Sequence, residues 1–132
     1  MLKNALILIF FSSLLLFFSC SDDLVNNPQE IVFPDSNVSF QNHVQPLITL
    51  TCSYQGCHSD ISQAGGIRLT DYFSYFDNPS VLGLVIPGDP DGSRLVQILE
   101  NPNFHLPYIV WYVNENHKTG IRKWIEEDAK NN

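Results

Sequence analysis

Of the three cysteines and four histidines in this chain, two cysteines and one histidine fall in a single octapeptide, Thr51-Cys52-Ser53-Tyr54-Gln55-Gly56-Cys57-His58. The spacing is C-x4-C-H, two residues longer than the C-x-x-C-H of covalent c-type haem attachment. In that chemistry both thiols bond to vinyl groups of one porphyrin, and the imidazole of the next residue reaches the iron from beneath the ring. The porphyrin fixes the second thioether and the proximal nitrogen together, so the rigid unit is Cys57-His58. Extra residues between the cysteines need only bulge outward, and Gly56 is free to take the positive φ that such a bulge requires. Two other uses compete for the same pair. A Cys52–Cys57 disulfide suits an oxidising compartment, although so short a loop yields limited stabilisation. Zinc would need a fourth ligand beyond two thiolates and His58.

A helix must deliver this motif. Phe40, Val44, Leu47 and Ile48 follow the spacing of one helical face, with Asn37 or Ser39 as N-cap, and Pro46 is expected to bend or break that helix midway. Gly65-Gly66 predicts a turn into a short extended piece, Ile67-Arg68-Leu69, while Tyr72 to Phe76 fits no clear period. Gly88-Asp89-Pro90 predicts a second helix, with Asp89 as N-cap, Pro90 at the first position and Leu95, Ile98 and Leu99 as the buried face. Asn114 or Asn116 caps the last helix. Its apolar stripe is Ile121, Trp124 and Ile125, its wet face Arg122, Lys123, Glu126 and Glu127, and Gly120 is a mild weakness within it. The expected fold is all-α and small, with long loops from eight prolines and seven glycines.

The start of the chain is of another kind. Lys3 precedes an almost wholly apolar run from Leu6 to Phe18, broken only by Ser12 and Ser13, which reads as a signal peptide over residues 1–19 and is too short to span a bilayer comfortably. Residues 20–36 read as a tether with turn chemistry at Asn26-Asn27-Pro28 and Pro34-Asp35-Ser36, which places the folded domain at 37–132. The 132 residues carry a net charge of −7. Loss of Lys3 makes the remainder more acidic, which disfavours nucleic acid as a partner.

Ser19-Cys20 at the end of the apolar run resembles a bacterial lipoprotein lipobox, which implies acylation of Cys20, export and a membrane anchor. Ser21-Asp22-Asp23 resembles the acidic surface-export signal of lipoproteins in some Gram-negative bacteria. As composition alone it is a solvated linker, so periplasmic and cell-surface placement both stand.

From Phe40 to the C-terminus the chain resembles the small planctomycete-type cytochrome c domains. The likeness is carried by Phe40-x3-Val44-x-Pro46-Leu47, Cys57-His58, Gly65-Gly66-Ile67-x-Leu69, Pro87-Gly88-Asp89-Pro90-x2-Ser93-x-Leu95-x2-Ile98 and Ile121-x2-Trp124-Ile125. The resemblance implies a cytochrome c-like helical fold, one covalent haem c and electron transfer to a redox partner protein, without enzymatic activity. It also implies Cys52 and Cys57 as thioether donors and His58 as proximal iron ligand. The chain departs from the family where a Met-Pro-Pro segment usually supplies the distal sulfur. The matching stretch is His105-Leu106-Pro107-Tyr108, and the sole methionine is Met1. His105 is the expected distal ligand. His117 and His43 are more distant candidates for that place and, sitting among polar neighbours, read as surface histidines.

Two other functions fit the same residues. One is a haem-free lipoprotein module with a Cys52–Cys57 disulfide, binding a partner protein or glycan through Tyr72, Phe73, Tyr75, Phe76, Tyr108, Trp111 and Tyr112. The other is an enzyme or gas sensor with an open iron position. The sequence contains no G-x-S-x-G, P-loop or H-E-x-x-H motif.

Overall fold

The computed structural model describes residues 25–105 and 112–132. The signal peptide, Cys20, Leu106, Pro107, Tyr108 and Trp111 lie outside the described residues. Among those described there are helices and turns but no strand, so the class is all-α.

The predicted first helix forms in two registers. Phe40–Val44 is a π-helical turn, and the α-helix α1 follows over Gln45–Thr51. Ser39 is the cap, its Oγ accepting from Asn42 N at 3.2 Å. Pro46 does not break the helix. The wide-turn bonds, Val44 N to Ser39 O and Gln45 N to Phe40 O, end just before it, and Pro46 stands in the first turn of α1, where a missing N–H costs least. Phe40, Val44, Leu47 and Ile48 are all buried, as their spacing predicted.

The helix α2 spans Arg94–Glu100, starting later than expected. Asp89 does cap, but it caps a preceding turn, its Oδ1 accepting from Gly92 N at 2.9 Å. Ser93 stands at the true N-cap position, and its hydroxyl ties Ile86 N to Asp89 O instead of capping the helix. Leu95, Val96 and Leu99 form the buried face, while Ile98 turns toward a cavity. Tyr72–Tyr75 is a short 3₁₀ turn capped by Asp71, and it drives Tyr75 into the core.

The helix α3, Glu115–Glu126, is capped by Asn114, whose side chain accepts from His117 N at 3.0 Å. Ile121, Trp124 and Ile125 are fully buried. The Trp124, Tyr75 and Phe40 rings pack with centroids between 5.5 and 6.0 Å, and this aromatic cluster ties α3 to the π-turn. The C-terminus closes over it: Trp124 Nε1 donates to Lys130 O and Tyr72 Oη to Ala129 O.

Part of the expected tether belongs to the domain. Pro28–Glu30 forms a 3₁₀ turn, and the chain then runs along α3 as a strap with Ile31 and Phe33 buried. Phe33 N donates to Asn116 Oδ1 at 2.8 Å, Asn116 Nδ2 returns a bond to Phe33 O, and Asn37 N and Val38 N both donate to the Glu127 carboxylate. Gly120, expected to weaken α3, is where the strap crosses it, because a β-carbon there would meet the Phe33 ring.

Candidate functional site

The site begins where α1 ends. Cys52 occupies the C-terminal cap of α1, its N–H bonded to Ile48 O at 2.8 Å, and its side chain is buried. The chain then loops out and returns, and His58 N donates to Cys52 O at 3.0 Å. The intervening residues bulge into solvent as the spacing required. Tyr54 is exposed, and Gly56 has φ +93° with open space around it, a conformation that would strain any residue with a β-carbon. The carbonyls of Cys57 and His58 accept from Ala64 N and Leu69 N, which locks the motif onto the Gly65-Gly66 turn and its extended sequel.

His58 is oriented by that same segment. Its Nδ1 lies 3.2 Å from the carbonyl oxygen of Ile67. A carbonyl can only accept, so Nδ1 is the donor of this bond and Nε2 is the nitrogen left to face a metal. Metal-binding histidines are commonly held in this way, by a backbone acceptor on the other nitrogen.

His105 faces His58, with ring centroids 5.8 Å apart and an interplanar angle of 63°. The two imidazoles line two neighbouring cavities. On the outer side is an open cavity of about 500 Å³ lined by Gly56, Cys57, Ala64, Gly65, Asn103 and Phe104. Inward lies a compartment of about 70 Å³ lined by Cys52, Leu69, Leu84, Leu95, Ile98 and Leu99. His58, Ile67 and His105 border both. The outer cavity falls within the usual range for cofactor sites, and the small compartment beside it is lined mostly by apolar side chains, as a porphyrin face requires.

Burial holds the His105 imidazole below the ordinary histidine value, assisted by the neighbouring His58, so it is neutral near pH 7. Burial also raises the Cys52 thiol, against an opposing bond from Thr51, whose Oγ1 lies 3.4 Å from Cys52 Sγ. Cys52 and Cys57 are both thiols. Among the described residues no three histidine, cysteine or acidic side chains converge to hold a bare metal ion, and no helix is long and apolar enough to cross a membrane.

The remaining sequence candidates lie elsewhere. His117 is fully buried, contrary to the surface reading. Its Nε2 is 2.9 Å from Ile31 O beneath the strap, and its Nδ1 accepts from Asn114 N. His43 is half-buried, and its Nδ1 accepts from Ser39 N at 3.0 Å. The aromatic residues do not form one surface: Tyr75 is core and Tyr72 and Phe76 pack against it, while Phe73 and Tyr112 are exposed. Ile67 was missed as a functional residue, since it contributes a backbone carbonyl that no side-chain motif signals.

Comparison with known proteins finds no matching family model, no matching curated protein and no matching solved structure.

Proposed function

We propose that this chain is an exported, lipid-anchored monohaem c-type cytochrome with a cytochrome c-like fold, passing electrons to and from a redox partner protein. The observation that carries the reading is that Cys57 and Cys52 line two cavities that share His58, with His58 Nδ1 held by the Ile67 carbonyl. Cys52 and Cys57 would hold the porphyrin through thioethers from the inner and outer compartments, and His58 would present Nε2 to the iron. When bound, haem supplies a one-electron iron couple. The chain does the rest. The leucines and isoleucines of the inner compartment would keep water from the bound group, and the Ile67 carbonyl orients the His58 ring. Anchoring rests on Cys20 as the acylated residue, on the periplasmic or cell-surface side of a bacterial membrane.

The test is haem staining of the denatured protein after expression with c-type maturation machinery, followed by mass spectrometry. Haem should stay with the chain, and Cys52→Ala or Cys57→Ala should leave a single, poorly matured linkage. A wild type containing only an intramolecular Cys52–Cys57 disulfide would overturn the cytochrome reading in favour of the haem-free binding module.

A further inference from the structure

We infer that His105 is the second axial ligand of this site, so that the iron is closed by two imidazoles. The inference rests on the haem reading above and deepens it. Two imidazoles bound through one nitrogen each to a single metal have centroids about 6 Å apart, given metal–nitrogen distances of roughly 2.0 Å and the radius of the ring. The His58 and His105 centroids are 5.8 Å apart, so the polypeptide alone already sets the spacing that shared ligation demands. The pair also lines both cavities, so the two rings border the space a bound macrocycle would use.

His105 is held there by the fold. It follows the Pro102–Phe104 turn, in which Asn103 N donates to Asn101 Oδ1 and Phe104 N to Asn101 O. The Arg94 guanidinium of α2 lies 4.9 Å from the Phe104 ring centre, a cation–π contact that pins the residue just before His105. His117 bonds Ile31 O and Asn114 N and His43 bonds Ser39 N, and neither lines the two cavities. Met1 is the only methionine in the chain and is far in sequence from the segment that would present a distal sulfur. A site closed in this way exchanges electrons without changing ligands and leaves no vacant iron position, which suits a carrier.

The experiment uses the full matured protein, with covalent haem first established by mass spectrometry. Failure at that stage removes the cytochrome reading itself. Given covalent haem, optical and EPR spectra should show low-spin iron with two imidazoles and no carbon monoxide adduct on a seconds timescale. His105→Ala should become high-spin and bind carbon monoxide, and added imidazole should restore the low-spin spectrum. His105→Met should stay low-spin with a raised reduction potential, and His117→Gln should leave the wild-type spectrum intact. A high-spin wild type, or a His105→Ala protein that keeps the bis-imidazole signature, overturns the assignment.

Discussion

The Phe33 ring lies where a β-carbon on Gly120 would have to be. This contact fixes the strap to α3, and it inverts the usual judgement of a glycine in mid-helix. Gly120 costs α3 some intrinsic propensity, roughly 1 kcal/mol against alanine, and in return allows an aromatic ring to be buried against bare backbone.

Gly120→Ala is therefore expected to destabilise despite the better helix former, by about 1–3 kcal/mol from overpacking. Phe33→Ala should cost about 3–5 kcal/mol. In the Phe33→Ala background the Gly120→Ala change should cost less, because the ring is gone and only the β-carbon of residue 33 remains in the way. Urea unfolding of the four proteins checks the coupling, and additive effects would show that the strap is not seated on Gly120.

His117 predicts a pH dependence of folding. Burial pushes its imidazole below the ordinary histidine value, opposed in part by hydrogen bonds to the carbonyls of Ile31, Pro28 and Tyr112. The unfolded chain takes up this proton first as pH falls. The contribution is thus whole above the unfolded value of about 6.5 and is lost as pH drops below it toward the depressed folded value. The difference in unfolding free energy between wild type and His117→Gln, followed from pH 7.5 to 5, should narrow with acidification. A constant difference would place His117 outside the titration.

The two thiols should differ in reactivity. Cys52 is buried and its thiol is raised by that burial, whereas Cys57 borders the open cavity. Since the thiolate is the nucleophile, alkylation of the folded, unmodified protein at pH 8 should label Cys57 first and Cys52 only on unfolding. Peptide mass spectrometry reads the order, and equal labelling would mean that Cys52 is not enclosed by α1 and the inner leucines.

Much of the frame was legible because its signals are local. The face of Phe40, Val44, Leu47 and Ile48, the Asn114 cap, the Gly65-Gly66 turn and the outward loop at Gly56 each depend on neighbouring residues. The pairing of His58 with His105 was only half legible. Cys57-His58 announces itself, but His105 was reached through a missing methionine, and its distance from His58 is set by packing between segments far apart in sequence. The strap was misread because Asn26-Asn27-Pro28 and Pro34-Asp35-Ser36 have real turn chemistry, and Ile31 and Phe33 alone are too few to reveal a period. His117 was misread for a related reason. Glu115, Asn116 and Lys118 are polar neighbours in sequence, yet its burial comes from a segment 86 residues away. Pro46 misled because the rule against proline in a helix presumes an α register, and the π turn before it changes that register.

The strap also sets the length of a leash. With packing established from Pro28 onward, only residues 21–27 separate the domain from Cys20. Fully extended, at about 3.3–3.6 Å per residue, they reach about 25 Å. With Cys20 acylated as proposed, the domain cannot sweep the aqueous space but skims one bilayer face. Encounters with partners then depend on lateral diffusion in two dimensions, which favours electron exchange with proteins embedded in, or tethered to, the same membrane.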